Sequence, residues 1–272
     1  MPIRRTKLDN SYEGNEMLRH ALITGLASLA LIATARADTA ALKIPDYVTA
    51  AVGDAGRPDT DKARDANRKP AEMMVFAGVK PGMKVLEIMP GGGYFLRIFS
   101  KSIGPNGKLF EVLPPPPPGA PATGDMATRT EAFNTMVKGY PNVTVIREPL
   151  DGFTVSEKVD LAWTSQNYHD FHNPSFHIDI AKYNKAVFDA LKPGGIYIVL
   201  DHAAAAGAGT SVVATLHRIE ESTAKSEIEA AGFKFVSESD ALRNPADPHT
   251  VAVFDPSIRG KTDQFILKFQ KP

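Results

Sequence analysis

The feature that most constrains this chain is the run Lys84-Val85-Leu86-Glu87-Ile88-Met89-Pro90, which breaks into Gly91, Gly92 and Gly93 before Tyr94-Phe95. The apolar part is short, rich in Val, Leu and Ile, and introduced by the turn residues Lys80-Pro81-Gly82, so it predicts a buried parallel strand rather than a helix. Glycines lack a Cβ, so the exit loop can take backbone angles closed to other residues and let a ligand lie against the main chain. With residues 94–101 continuing as a helix, the strand, loop and helix predict a nucleotide-type pocket.

Composition narrows the chemistry. The 31 basic residues balance 31 acidic ones, which leaves no electrostatic reason to expect a nucleic-acid partner. There are no cysteines, so disulfides, thiolate metal sites and thiol nucleophiles are excluded and the chemistry must use oxygen and nitrogen groups. Near the N-terminus, Met17-Leu18-Arg19-His20 precedes an apolar run over 21–33 and a small-x-small site ending at Ala37. This pattern predicts a secretory signal over residues 1–37, cut after Ala37, and a periplasmic or secreted mature chain. The polar stretch 1–16 is out of place before such a signal, which points to Met17 as the true start. The apolar run is shorter than the roughly 20 residues that span a bilayer, so no stable membrane insertion is expected after cleavage.

The remainder reads as a helical lead-in over 38–78 and one α/β domain over 79–272. Arg57-Pro58-Asp59-Thr60-Asp61 signals a turn and helix start, and Pro70 the first turn of a helix carrying Met73, Met74 and Phe76. Strands are predicted from Lys84 up to the glycine loop and at 108–113, 143–147, 159–165 and 196–201. Helices are predicted at 128–138 and 181–191, and five prolines from Pro114 to Pro118 end the second strand in a loop. Apolar residues at Val213, Leu216, Ile219 and Ile228 predict one helix over 210–231, broken near Ser222-Thr223. Segments 233–237 and 264–270 are expected to pair as an antiparallel hairpin around a polar insert, 239–263. Alternating strands and helices imply a mostly parallel sheet covered on both faces, with ligands at the carboxyl ends of the strands.

Four motifs then occur in order: Glu87-Ile88-Met89-Pro90-Gly91-Gly92-Gly93, Gly107-Lys108-Leu109-Phe110-Glu111, Leu191-Lys192-Pro193-Gly194-Gly195, and Ala230-Ala231-Gly232-Phe233. Together they resemble the class I S-adenosylmethionine-dependent methyltransferases, and more narrowly an exported group whose loop reads Pro-Gly-Gly-Gly-Tyr. The resemblance covers nearly all of 38–272, including Phe254-Asp255-Pro256-Ser257-Ile258-Arg259-Gly260-Lys261-Thr262-Asp263. It implies a Rossmann-like doubly wound sheet of seven strands with a C-terminal antiparallel hairpin, and S-adenosylmethionine (SAM) as cofactor. It also implies that Pro90, Gly91, Gly92 and Gly93 approach the methionine part of SAM. Glu87 would lie beneath the loop and hold its backbone or, through water, the ammonium. Two positions depart from the family pattern: Met89 replaces the first glycine, and Leu113 stands where an acid commonly grips the ribose. Glu111, two residues earlier on the same face, is the candidate substitute, and Glu148 or Asp151 would face the adenine.

The densest polar cluster is Gln166-Asn167-Tyr168-His169-Asp170-Phe171-His172-Asn173 after the fourth strand, with Asp201-His202 after the fifth. Methyl transfer to oxygen or nitrogen needs an in-line approach and loss of the acceptor's proton, and histidine is a suitable base. His169 or His202 is expected in that role, with Tyr168 and Asn167 orienting a small-molecule acceptor or closing over the cofactor. A metal reading would use His169, His172 and His177, or Asp170 with Asp201; nothing fixes a third carboxylate, and no metal site is expected. SAM is made in the cytoplasm, which sets the export signal against the cofactor. The alternative function is therefore an exported, non-catalytic small-ligand-binding protein that retains the fold.

Overall fold

The computed structural model describes residues 42–116 and 123–272. The expected signal segment with its expected cleavage site, and the end of the proline run, lie outside the described residues.

Four short helices open the described chain: α1 (Asp46–Val52), α2 (Asp59–Lys62), α3 (Asp65–Arg68) and α4 (Pro70–Ala77). Pro70 sits at the first turn of α4, where its missing N–H costs nothing, and Gly78 ends that helix in a left-handed conformation. β1 (Lys84–Ile88) leads through the glycines into α5 (Tyr94–Ile103), followed by β2 (Lys108–Leu113), α6 (Asp125–Val137), β3 (Val143–Arg147) and β4 (Val159–Ser165). Then come α7 (Ile180–Ala190), β5 (Leu191–His202), α8 (Val213–Leu216), α9 (Glu221–Ala230), β6 (Lys234–Glu238) and β7 (Gln264–Gln270).

The seven strands form one sheet in the order β3-β2-β1-β4-β5-β7-β6, parallel except for β7, which runs antiparallel to both β5 and β6. This is the Rossmann-like class I methyltransferase sheet with its C-terminal antiparallel hairpin. The order reverses between β1 and β4, so the crevice at their carboxyl ends is the topological switch point.

Side chains alternate across the strands and feed two cores. Leu86, Ile88, Phe110 and Val112 face α7 and α9, where they meet Tyr168, Tyr183, Val187 and Ile228. Val85, Leu109, Leu161 and Trp163 face α1, α4 and α5, where they meet Val48, Met73, Phe95 and Phe99. Phe95 and Phe99 both pack edge-on against Trp163, at centroid distances of 4.8 and 5.6 Å. Among the described residues, no helix is long and apolar enough to cross a membrane.

Three elements differ from expectation by more than two residues. The helix expected over 128–138 begins at Asp125. β5 begins at Leu191, which pairs with Val159 before Lys192-Pro193-Gly194-Gly195 bulges out and pairing resumes at Ile196. The helix expected over 210–231 is two helices, and the break lies at 217–220 rather than at Ser222-Thr223. His217, at φ +53°, stops α8, and Ile219 runs extended beside Ala203 at the end of β5. Val213 and Leu216 are helical, and Ile219 continues their period by accident of spacing.

Candidate functional site at the strand ends

The glycine loop leaves β1 with three left-handed residues, Met89 (φ +58°), Gly91 (φ +56°) and Gly93 (φ +78°). Met89, which stands where the methyltransferase pattern it resembles has its first glycine, therefore occupies a conformation that glycine adopts without strain, at a cost on the order of 1 kcal/mol. Asn167 holds it there: its Nδ2 donates to the carbonyls of Met89 (3.0 Å), Ser165 (2.9 Å) and, at 3.4 Å, Ile88. Gly91 and Gly92 are exposed, and a Cβ on either would meet open space. Gly93 is covered by α6, since a Cβ there would lie 2.7 Å from Met136 Cε. Pro90 is buried behind the loop.

The lead-in helices brace this loop from outside. Arg97 Nη1 donates to the Gly92 and Gly93 carbonyls (2.9 and 2.7 Å) and to Asp61 (2.9 Å). Asp65 takes a bidentate pair from Arg57 (2.7 and 2.9 Å) and the hydroxyl of Tyr94 (2.6 Å). Arg68 stacks on the rings of Tyr94 and Phe95, 4.3 and 4.7 Å from their centroids, and donates to Ser165 Oγ at 3.0 Å. Burial and the neighbouring Arg64 charge lower its pKa to about 10, so it stays cationic at neutral pH.

Beneath the loop, Glu87 and Glu111 stand opposite each other in the β1–β2 register, buried on the α5 face. Burial pushes Glu87 up to about 8, against a smaller downward pull from the neighbouring Glu111 carboxyl and the Arg68 charge. Glu111 is pushed well above the carboxylate range by burial and then by Glu87 itself. Two carboxyls this close and this dry hold protons at neutral pH. Glu87 Oε2 and both Glu111 carboxyl oxygens accept no hydrogen bond from the described residues.

The ends of β4 and β5 carry the histidines. Asp201, fully buried, accepts from His169 Nδ1 and from the His169 backbone N–H, each at 2.7 Å, and from the His202 N–H at 2.7 Å. Burial opposes ionisation of Asp201, but the His169 charge and hydrogen bonds keep its pKa low. For His169, burial lowers the pKa, yet the Asp201 charge and the bonds to Asp170 and Asp201 outweigh it and raise the value to about 10. His202 is driven the other way, to about 4, chiefly by burial, so it is neutral at pH 7. Its Nδ1 lies 2.7 Å from Thr262 Oγ1, and its Nε2 makes no hydrogen bond to another described residue. The two rings are 5.9 Å apart. Asp201 thus fixes a cationic imidazole and the backbone of the neighbouring His202, whose neutral ring is set by Thr262.

The structure brings Glu87, Pro90, Gly91, Gly92, Gly93, Asn167, His169 and His202 to adjoining strand ends, and places the other candidates elsewhere. Tyr168 lies in the core against Phe171 and Tyr183, and its hydroxyl is shared by Asn184 (2.9 Å) and Glu227 (3.1 Å), so it orients the α7 side of the sheet and no acceptor. Glu111 has no exposed surface with which to reach a ribose, because its neighbour on the sheet is Glu87 rather than solvent. Glu148 closes its own loop by accepting from the Thr154 N–H at 2.7 Å, and Asp151 accepts weakly from the Asp179 N–H. His169 is 2 % exposed, so its ring is enclosed rather than facing an open hollow. His172 sits 3.0 Å from Glu227 and His177 is exposed, so neither joins His169. Residues that sequence reasoning missed, Arg68, His217 and Thr262, come from segments read as lead-in, helix and insert. Open hollows of about 450 Å³ beside Phe153 and Lys182, and of about 900 Å³ beside Lys101 and Tyr140, lie away from these strand ends.

No family model matches the chain, and no curated protein matches it either. Solved structures do. The chain is similar to a SAM-dependent methyltransferase from Aquifex aeolicus, with a TM-score of 0.52 and 19 % identity over 79 % of this chain and 99 % of that one. It is also similar to the N-methyltransferase NodS from Bradyrhizobium japonicum, with a TM-score of 0.51 and 11 % identity over 78 % and 98 %. A third, the [4+2]-cyclase SpnF, gives a TM-score of 0.53 and 16 % identity over 78 % and 80 %. At these identities the likeness shows the fold, and a fold hosts more than one chemistry.

Proposed function

We propose that this protein is a SAM-dependent methyltransferase acting on an oxygen or nitrogen of a small-molecule acceptor. The observation that carries the reading is the pair Gly91 and Gly92, exposed and open at the switch point of the sheet beside Asn167 and the Asp201-tied histidines. The residues fit the methionine half of the cofactor. Main chain is free to approach a ligand at two glycines, and Glu87 beneath them has a buried carboxyl oxygen without a partner; the carboxyl, protonated when alone, would ionise beside a cationic group. The ribose end fits less closely, since β2 ends in Leu113 and carries no exposed carboxylate. Bound in this crevice, SAM supplies an electrophilic methyl group.

The protein's own work is positioning and charge control. Asn167 fixes the loop, Arg97 braces it, and Arg68 keeps a positive charge at its edge. His202, neutral and held at Nδ1 by Thr262, presents Nε2 to the acceptor's proton. His169 keeps a positive charge beside it that favours the deprotonated acceptor. An export signal places this chemistry in the periplasm or outside the cell after a cut at Ala37. A second reading, an exported non-catalytic small-ligand-binding protein that retains the fold, is favoured by the substituted positions Met89 and Leu113.

Incubation with methyl-labelled SAM and a low-molecular-mass cell extract tests the proposal. The label is expected in an extractable small product, with a yield at least about 10-fold lower for His202→Ala, the scale of a lost acid–base group. Label confined to macromolecules, or no transfer at all, would contradict it.

A further inference from the structure

Three side chains converge beside the strand ends, among them the His169 to which the methyl-transfer reading gives a positive charge; a metal ion held there would carry that charge in the proton's place. His169 Nε2 lies 3.2 Å from Asp170 Oδ1, and His217 Nδ1 lies 3.4 Å from the same oxygen. One ligand atom from each of the three residues falls within 4.8 Å of the others. Two donors bound to one first-row metal ion at about 2.0–2.2 Å are roughly 3.0–3.5 Å apart at octahedral or tetrahedral angles, so both short separations already suit a shared ion.

The surroundings are those of a held ligand set. Asp201 takes His169 Nδ1 and leaves Nε2 toward Asp170, as an outer carboxylate does behind a metal-bound imidazole. His217 is set by its backbone, whose left-handed φ of +53° is rare for a residue with a side chain, and its ring stands edge-on to Phe254 at 4.8 Å. Arg218, the next residue, is locked to Asp247 and the Ala203 carbonyl, which anchors His217 to the end of β5. The side chains of Asp170 and His217 are 24 % and 29 % exposed against 3 % for His169, so one side of the cluster is open to water or an incoming oxygen.

We propose that His169, Asp170 and His217 bind a divalent first-row transition metal ion, of the zinc or iron(II) kind that suits two imidazoles and one carboxylate. The competing occupant is the proton on His169, which the flanking carboxylates also stabilise. The site stands independently of SAM binding.

The test uses the full chain, stripped with a chelator and titrated with Zn²⁺ against a chromophoric chelator and with Co²⁺ by visible absorption. The expected result is one equivalent of Zn²⁺ bound with Kd below about 1 µM, weakened at least about 30-fold by His217→Gly and by Asp170→Asn. Glycine is chosen at 217 because it relieves the left-handed backbone, so the fold is retained. His172→Ala, beside Glu227, should leave the affinity unchanged. Weaker or non-stoichiometric binding, or binding that either substitution at 170 or 217 leaves intact, overturns the proposal.

Discussion

Replacing Asp247 by alanine is expected to lower the unfolding free energy by about 3–5 kcal/mol, the cost of leaving one member of a buried ion pair alone. Asp247 and Arg218 both have fully buried side chains, joined through two hydrogen bonds of 2.8 and 3.1 Å. Asp247 also accepts from the backbone N–H groups of His249 and Asp263, and Arg218 also donates to the carbonyls of Ala203 and Val251. The pair thus ties the 239–263 insert to the end of β5. Its loss should also release Thr262 from His202, since Thr262 precedes the Asp263 amide that Asp247 holds. For a domain of this size the melting temperature should fall by about 10 °C. Replacing both partners by apolar residues of similar volume should cost much less, because no buried charge is then left unpaired. A loss within 1 kcal/mol for Asp247→Ala would show that the insert is held by other contacts.

Glu87→Gln should change how stability depends on pH. Unfolded glutamate ionises near 4.5, whereas folded Glu87 ionises near 8 because burial penalises its charged form. The folded chain therefore binds an extra proton between those values. The stabilisation is complete below about pH 4.5 and is lost as pH rises through about 8. Glutamine keeps the shape and one donor of the protonated acid but cannot ionise. Near pH 5 the two proteins should be of similar stability. At pH 9 the variant should be more stable by on the order of 4 kcal/mol, taking about 1.4 kcal/mol per pKa unit for the rise from 4.5 to about 8. Thermal melts from pH 5 to 9 check this, and curves that stay parallel would mean that Glu87 is already ionised at neutral pH.

The sheet was legible because its central strands are short, nearly continuous apolar runs bounded by Gly and Pro. β2, β3, β4 and β7 start and stop where the residue pattern predicts. Position 217 was not legible, because nothing local announces that a histidine will adopt a left-handed φ, and Ile219 two residues later keeps the apolar period. The insert read as a polar loop because a buried Arg218–Asp247 pair looks, residue by residue, like two surface charges. In the site, the glycine loop carried its own signal, and the neighbourhood of His169, Asp201 and His202 followed from adjacent parallel strand ends. Which hydroxyl or carboxylate each group meets depended on contacts distant in sequence. Tyr168 shows this directly, since its hydroxyl partners come from α7 and α9. Glu111 fell on the expected face, but the register set it against another acid.

The central claim is that the main chain at Gly91 and Gly92 is the floor of a SAM site. The most direct measurement is calorimetric titration of S-adenosylhomocysteine into the full chain and into Gly92→Val. Gly92 is not left-handed and has open space at its Cβ, so valine fills the floor without forcing the backbone. The account predicts micromolar binding to the parent chain, at least about 30-fold weaker binding to the variant, and melting temperatures within about 2 °C of each other, as expected for a surface change. No binding to the parent chain at millimolar ligand, or equal binding to both proteins, would contradict it.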